Sequence, residues 1–210
     1  MQVKTPRTVG RSRAGQETAQ RVIESARALL MKEGYAQFSM RNVASHAGMH
    51  LANVQYYFPT REALVRALLA DTGARYRAAY EKLLTQAPVD RVERFKAVVD
   101  YNLRDVASEP TRRFFIQLWA LLSTLDGDSN DLLNELYRID LEQLSERIAE
   151  LEPAVEPAEV RRRATLLAAM IEGLVLVRGA HSDQPAELRR LMAYAHTMGL
   201  QIARGAAWSA

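Results

Sequence analysis

The sequence predicts an all-α protein, with a small N-terminal three-helix unit followed by a larger helical body. Three observations support this prediction. Apolar residues recur three and four positions apart along most of the chain, which is the spacing of an amphipathic helix. No stretch alternates strictly between apolar and polar residues, as a half-buried strand would. Clusters of Gly, Pro, Ser and Asn divide the chain into about nine helical segments.

The basic residues are concentrated toward the N-terminus. The 210-residue chain has a formal net charge of +3, but residues 1–62 contain nine Lys and Arg against four acidic residues. The remainder of the chain therefore has a slight excess of acidic residues. A basic N-terminal third indicates a polyanionic partner for that third, although a solvated basic tail would give the same distribution of charge.

Composition excludes several classes of protein. The chain has no Cys, so disulfides and thiolate metal sites are excluded and a reducing cytoplasm is expected. The longest apolar run, Ala164–Val177, is interrupted by Thr165 and Glu172 and is too short to span a bilayer. No apolar segment of the kind found in signal peptides follows the basic N-terminus. We therefore expect a cytoplasmic protein.

No catalytic or metal-binding motif is visible in the sequence. It contains neither a phosphate-binding glycine loop nor a dinucleotide fingerprint. The four histidines lie apart, without the spacing of a zinc site; they are His46, His50, His181 and His196. We predict no cofactor, no metal and no enzymatic activity. An all-helical enzyme, and an all-helical dimeric adaptor without DNA binding, stay as alternatives.

Residues 1–15 are predicted to form a disordered basic arm, because they lack apolar periodicity and are rich in Arg, Thr, Ser and Gly. The arm either enters a DNA minor groove or keeps the chain soluble, and its cations are Lys4, Arg7, Arg11 and Arg13. From Gln16 an apolar stripe predicts the first helix, and Gly34 is expected to cap its C-terminus. The stripe comprises Ala19, Val22, Ile23, Ala26, Leu29 and Leu30.

Two short helices follow, separated by a glycine turn. Ser39 is placed to cap the first of them and Gly48 to end it. The second runs from Leu51 to Phe58, where Pro59 prevents continuation because it has no N–H and clashes with the preceding turn. Thr60 is then placed to cap a long helix. Two short helices around a tight turn form a helix-turn-helix, whose second helix enters the major groove of DNA.

The second short helix has one face for its own domain and one for DNA. Val54 and Phe58 are four residues apart and can anchor the helix to its domain. On the other face Asn and Gln can pair with adenine, Ala and Leu can touch a thymine methyl, and Tyr and Arg can bind phosphate. Tyr56 packs half inside the domain or touches DNA. The predicted DNA contacts are Ser39, Met40, Arg41, His50, Leu51, Ala52, Asn53, Gln55, Tyr56, Tyr57, Thr60 and Arg61.

The stretch from Ser39 to Arg61, with the preceding helix, resembles the DNA-binding domain of the TetR family of bacterial regulators. The family pattern has a capped helix, a Gly-Val-Ser turn, a helix ending in Leu-Tyr-x-His-Phe, and a Lys after a small polar cap. This sequence offers Ser39, Gly48-Met49-His50, Val54-Gln55-Tyr56-Tyr57-Phe58 and Thr60-Arg61. Three departures from the pattern matter: His50 replaces Ser, Gln55 replaces Tyr, and Tyr57 replaces His. The departures concern the operator sequence rather than the mode of binding.

The resemblance covers roughly residues 16–68 and implies a function for the whole chain. It implies a helix-turn-helix DNA-binding domain at residues 16–62 and an effector-binding and dimerisation domain at residues 63–210. It further implies a sequence-specific transcriptional regulator, commonly a repressor, that a small-molecule effector releases from its operator. A homodimer would read a palindromic operator, because one short recognition helix reads too few base pairs for specificity.

The last two long helices are each apolar on two faces, so each needs two neighbours. One neighbour is the core of the protomer, and the other is either a second subunit in a four-helix interface or the remainder of a monomer. The resemblance implies the dimer. The predicted interface residues are Leu167, Ile171, Leu174, Leu191, Ala195, Met198 and Ile202.

The middle helices are rich in aromatic residues, which either fill the core or line the effector pocket that the resemblance implies. Glu172 is an isolated carboxylate in an apolar helix, where it could orient a cationic ligand or, more commonly, bond a backbone group or lie at an interface edge. The predicted effector contacts are Tyr101, Phe114, Phe115, Trp119, Tyr137, Met170 and Glu172.

Overall fold

The computed structural model describes residues 12–125, 129–177 and 185–205. Within these ranges the chain forms nine α-helices and one short 3-10 helix, Tyr35–Gln37, and no strand. The predicted all-α class is therefore confirmed. The helices are α1 Arg13–Glu33, α2 Met40–His46, α3 Leu51–Tyr57, α4 Arg61–Gln86, α5 Arg91–Ala107, α6 Glu109–Leu122, α7 Ser129–Leu151, α8 Pro157–Val177 and α9 Pro185–Arg204.

The helix boundaries follow local signals in the sequence. Pro110 lies in the first turn of α6, where a missing N–H costs no intrahelical hydrogen bond. Pro157 and Pro185 each begin a helix for the same reason. The segment between α6 and α7 lies partly outside the described residues, which leave out 126–128, and the segment between α8 and α9, residues 178–184, lies outside them.

The first helix begins earlier than the sequence predicted. Ser12 caps α1 by accepting a hydrogen bond from the N–H of Gly15 at 3.2 Å, and Arg13 begins the helix. Arg13 then pairs with Glu17 one turn later. A serine cap and a helical ion pair thus extend the helix into the segment assigned to the arm. Residues 1–11, which carry Lys4, Arg7 and Arg11, lie outside the described residues.

The chain divides into two compact units. The first unit comprises Met1–Asp71 and Gln117–Leu132, and the second comprises Thr72–Ile116 and Leu133–Ala210. The division after Asp71 lies inside α4, whereas the sequence analysis placed the domain boundary after residue 62. The C-terminal half of α6 belongs to the first unit, an assignment that no local sequence signal indicated.

The core of the second unit forms where α5, α8 and α9 pack together. Gly199 of α9 allows a close approach, because a Cβ atom there would lie 3.2 Å from Cδ1 of Leu167 on α8 and 3.6 Å from Cγ1 of Val99 on α5. Arg163 of α8 donates a hydrogen bond to the carbonyl of Ala203 at 3.0 Å, near the end of α9. Apolar packing and the hydrogen bond from Arg163 together hold α9 against α8.

This packing changes the assignment of the apolar faces of α8 and α9. Leu167, Ile171, Ala195 and Ile202, all predicted to meet a second subunit, are buried inside the protomer. Leu174 and Leu191 are half-buried, and Met198 is exposed. The predicted interface is corrected accordingly: its main stripe faces α5 and the protomer core. None of the described helices is long and apolar enough to cross a membrane.

Candidate nucleic-acid interface

The short helices α2 and α3 pack on α1 in the first unit. The buried residues of α1 are Val22, Ala26, Leu29 and Leu30, which belong to the predicted apolar stripe. On α3 the only fully buried residue is Val54, and Phe58 just beyond its end is also buried. This arrangement confirms that Val54 and Phe58 form the inner edge of α3.

The turn between α2 and α3 depends on Gly48. The N–H of Gly48 bonds to the carbonyl of Ser45 at 3.1 Å, and the N–H of Met49 bonds to the carbonyl of Ala44 at 2.9 Å. This pair of bonds is a Schellman motif, which requires a residue in the left-handed region after the helix. Gly48 has a φ of +65°, a conformation that costs little only without a Cβ atom. The glycine therefore sets the angle at which α3 leaves α2.

Caps fix the ends of the helices around the turn. Ser39 Oγ accepts a hydrogen bond from the N–H of Asn42 at 3.2 Å at the start of α2. Thr60 Oγ1 accepts one from the N–H of Ala63 at 3.0 Å at the start of α4. His50 occupies the cap position of α3 but makes no side-chain cap hydrogen bond. The N-terminus of α3 therefore has free N–H groups that a phosphate oxygen could accept from.

The outer face of α3 is exposed. Ala52, Asn53, Gln55 and Tyr56 are all exposed, and Leu51 and Tyr57 are half-buried. Tyr56 is 72% exposed, so it does not pack half inside the domain. Its ring meets that of Tyr57 edge to face, with centroids 5.2 Å apart. Two amide side chains and a pair of tyrosines thus lie on one accessible face.

On α2 the residues expected to contact DNA differ in exposure. Arg41 near the start of α2 and His50 in the turn before α3 are exposed, whereas Ser39 and Met40 are half-buried. Ser39 Oγ accepts the hydrogen bond that caps α2, and its O–H is still able to donate to another acceptor. Arg41 is the cation that α2 presents to solvent.

Arg61, the first residue of α4, is partly engaged within the first unit. Its Nη2 donates a hydrogen bond of 3.1 Å to Oγ1 of Thr124, which follows the end of α6. Its Nε is shielded from solvent and has no hydrogen-bond partner. The side chain is half-buried, so the guanidinium is oriented by the protein rather than free to rotate.

Two further contacts support α1, and sequence reasoning missed both. Asp71 of α4 accepts hydrogen bonds from Gln20 at 3.0 Å and from Arg27 at 3.1 Å. The backbone N–H of Tyr35, directly after α1, donates to Oε1 of Gln117 on α6 at 2.8 Å. These residues lie 44 or more positions apart in sequence, so no local pattern could reveal the contacts. They hold the helix that supports α2 and α3.

A short helix with small and amide side chains outward fits the width of a DNA major groove. The described residues contain no group of three acidic or histidine side chains placed to hold a metal ion. The chemistry available on this face is therefore hydrogen bonding to base edges and phosphate oxygens.

The residues expected to contact an effector are divided between the two units. Trp119 belongs to the first unit, and the others belong to the second. Phe114 and Phe115 are buried with their ring centroids 5.4 Å apart, and the remaining residues are half-buried. Tyr101 and Phe115 do share one aromatic neighbour on α4, Tyr76, and the acidic residue that its hydroxyl binds, Asp105, was not predicted.

The chain is similar to known bacterial regulatory proteins in sequence. Residues 22–68 match the family model described as bacterial regulatory proteins, tetR family. The chain is 27% identical over 160 residues to the HTH-type transcriptional regulator BetI of Burkholderia ambifaria, covering 75% of this chain and 79% of that protein.

Solved structures with the same fold cover nearly the whole chain. A Pseudomonas aeruginosa PAO1 protein described as a transcriptional regulator has a TM-score of 0.70 at 18% identity, over 92% of this chain and 95% of its own. A Saccharomonospora viridis protein also described as a transcriptional regulator, solved in complex with choline, has a TM-score of 0.66 at 22% identity, over 85% and 94%. At these identities the likeness is one of fold.

Proposed function

We propose that this chain, which belongs to the TetR family of DNA-binding transcriptional regulators, represses transcription as a homodimer on a palindromic operator and is released by a small molecule. Family membership makes the chain a regulator rather than an enzyme. The single observation that supports operator binding most directly is the outer face of α3, where Asn53 and Gln55 are exposed while Val54 is buried.

Sequence would be read by the amide side chains of α3. Asn53 and Gln55 can each donate to and accept from adenine in the major groove, and Ala52 is small enough to approach a thymine methyl. Tyr56, Tyr57 and Arg61 would contact phosphate and set the register of α3 on the duplex. Arg41 would contact either a guanine edge or a phosphate.

A homodimer is supported by apolar side chains that the protomer leaves uncovered on α8 and α9. We call this set the exposed apolar face; it consists of Leu166, Leu176, Val177, Tyr194 and Met198, which are 42–70% exposed. Helices α8 and α9 pack on each other, so a second copy of the same pair would complete a four-helix interface. Such an interface has twofold symmetry, which a palindromic operator matches.

Release by a small molecule is supported by the helical second unit. Its interior holds polar and aromatic side chains, among them Tyr101 and Glu172, beside purely apolar packing. The Saccharomonospora viridis structure holds choline, so this fold can accommodate a small molecule. An effector that binds the released form more tightly would change operator affinity by about 1–3 kcal/mol.

Selection of bound oligonucleotides from a random pool tests the proposal. We expect a palindrome with half-sites about one helical turn apart. With about eight phosphate contacts per dimer, the logarithm of affinity should fall with the logarithm of salt with a slope of about −7. Enrichment of no sequence, with no gel shift even at low salt, would favour a dimeric adaptor that does not bind DNA.

A further inference from the structure

The segment that joins α1 to α2 consists of residues 34–39, and we call it the α1–α2 connector. Gly34 ends α1 with a φ of +83°, and the short 3-10 helix Tyr35–Gln37 follows at once. The N–H of Phe38 closes that helix by bonding to the carbonyl of Tyr35 at 3.0 Å. Because α2 begins directly after the connector, the position of the connector sets that of α2 and of α3 beyond it.

Asn42 fixes the end of the connector to α2. Its side-chain Nδ2 donates a hydrogen bond to the carbonyl of Gln37 at 2.8 Å, and its backbone N–H donates to Ser39 Oγ at 3.2 Å. Both bonds join residues at most five positions apart. They therefore give the connector its local shape but do not tie it to another part of the first unit.

Gln117 of α6 provides the long-range tie. Its Oε1 accepts a hydrogen bond of 2.8 Å from the backbone N–H of Tyr35, 82 positions away. The absence of a side chain at Gly34 permits this approach, since a Cβ atom there would lie 2.9 Å from the same oxygen. The amide of Gln117 is thus fitted to the one point where the chain leaves α1 without a side chain.

The half of α6 that carries Gln117 is well anchored. Leu118, Leu121 and Leu122 are at most 1% exposed, and they belong to the first unit together with Gln117. Apolar burial is non-directional, whereas a hydrogen bond has a preferred distance and angle. The leucines therefore hold α6 in the unit, and Gln117 fixes the connector at a defined point on α6.

Two different helices consequently hold the helix-turn-helix through α1. Asp71 of α4 binds Gln20 and Arg27 along the middle of α1, and Gln117 of α6 binds just beyond its end. A body held by one helix alone can tilt about that contact, and a second contact on another helix restrains the tilt. Gln117 is thus placed to restrain the orientation of α2 and α3.

We propose that Gln117 is a positioning residue for operator recognition, which holds the α1–α2 connector and thereby limits the half-site spacings that the protein accepts. This inference rests on the proposed function, since a dimer must place its two recognition helices about one helical turn apart. Gln117 itself makes no contact with DNA. One hydrogen bond contributes little to folding, so its loss should alter recognition more than stability.

Hydrogen exchange of the Tyr35 amide, followed by NMR on the full chain without DNA, tests the tie. Gln117→Met removes the acceptor at nearly constant volume and should speed exchange of this amide by about tenfold, while the buried amides of Leu29 and Leu30 keep their rates. Gln117→Glu should keep the protection, because a carboxylate also accepts. Gln143→Met is the control, at a half-buried glutamine of α7 in the second unit.

Affinity for duplexes of different spacing tests the role in recognition. The duplexes are the palindrome that the wild-type chain selects and versions with one base pair inserted or removed at its centre. Gln117→Met should bind the palindrome about tenfold more weakly and should lose much of the discrimination against the altered spacings. Gln117→Glu should keep the wild-type ratio of affinities, in which the effect of its added charge cancels. Melting temperatures should fall by no more than a few degrees.

Three results would overturn the inference: wild-type spacing discrimination in Gln117→Met, equal loss of discrimination in Gln117→Met and Gln117→Glu, or the same loss in Gln143→Met. Failure of the proposed function gives a different result, because the wild-type chain would then select no palindrome. The operator role of Gln117 would be wrong in that case, and the exchange rate of the Tyr35 amide would still decide whether Gln117 holds the connector.

Discussion

Arg61 Nη2 donates a hydrogen bond of 3.1 Å to Oγ1 of Thr124, joining the start of α4 to the residues that follow α6 within the first unit. Arg61 lies three positions beyond Phe58, the last anchor of α3. A guanidinium proposed to bind phosphate is thus held in place by a hydroxyl group. The charge of Arg61 and the orientation of its guanidinium can therefore be tested by different substitutions, one at Arg61 and one at Thr124.

Arg61→Ala should weaken binding to all DNA sequences alike, because a phosphate contact carries no sequence information. The slope of affinity against salt should fall by about 1 for each Arg61 removed from the interface. Fluorescence anisotropy with operator and unrelated duplexes, over a range of salt, measures both quantities. Loss of operator binding alone would contradict a phosphate role.

Thr124→Val tests the orientation of Arg61 separately from its charge. The change removes the hydroxyl that accepts a hydrogen bond from Arg61, but it keeps the positive charge of Arg61 and nearly the volume of residue 124. If Thr124 orients Arg61 for phosphate, this variant should weaken binding to all sequences by less than Arg61→Ala does, with an unaltered salt slope. An unchanged affinity would show that Arg61 acts without this hydrogen bond.

Asn53→Ala should relax sequence preference rather than abolish binding. An amide paired with adenine contributes about 1–3 kcal/mol of discrimination against other bases. Oligonucleotide selection with the variant should therefore lose preference at one position of each half-site. The fold should be unaffected, because Asn53 is exposed. A variant that selects the unchanged palindrome would remove Asn53 from the base contacts.

Local features of this chain were predictable from sequence, and long-range ones were not. Ser39, Gly48 and the helix-starting prolines act through the backbone of their own neighbours, so their residue types reveal their roles. Asp71 binds side chains 51 and 44 positions away, and Asp140 binds Tyr80 60 positions away. Such partners become apparent only when helices are packed.

The apolar faces of α8 illustrate the same limit. Leu166 and Leu167 are adjacent in sequence and equally apolar, yet Leu166 is 42% exposed and Leu167 is fully buried. Helical spacing shows that two apolar stripes exist, but only the position of α5 and α9 shows which stripe the protomer uses. For this reason the interface prediction assigned Leu167 and Ile171 of α8 to the wrong stripe.

Asp71→Ala should destabilise the protein by about 3 kcal/mol, because it removes the carboxylate of a largely buried ion pair with Arg27. Both side chains are less than one-fifth exposed. Glu17→Ala is a matched control on α1, since it breaks an ion pair with Arg13 that is exposed to solvent and should cost less than about 1 kcal/mol. Urea denaturation followed by circular dichroism compares the two variants. Equally small losses of unfolding free energy in the two variants would show that the ion pair between Arg27 and Asp71 contributes little to stability.

Replacing Leu166 and Met198 together by Asp should convert the proposed dimer into a monomer. The change buries two charges per subunit in an apolar interface, where ions are costly unless paired. Val89→Asp is the control, because Val89 is apolar and 95% exposed but lies between α4 and α5. Sedimentation velocity at micromolar concentration measures the mass of each variant. A wild-type chain that sediments as a monomer would exclude the dimer.

Glu172→Gln should stabilise the protein at pH 8 and have little effect near pH 4. Burial first, and then the charges of Asp140 and Asp105, raises the pKa of Glu172 to about 7, so the folded state favours the neutral carboxyl. An unfolded glutamate ionises near pH 4.5. The folded protein is therefore not penalised below that pH, and stability is lost as the pH rises toward 7. The loss amounts to about 3 kcal/mol, at 1.36 kcal/mol per unit of pKa difference.

Glutamine cannot ionise, so the difference in unfolding free energy between variant and wild type should grow from pH 4 to pH 8. Urea denaturation at pH 4, 6 and 8 measures that difference, and a value independent of pH would mean that Glu172 ionises freely in the folded protein.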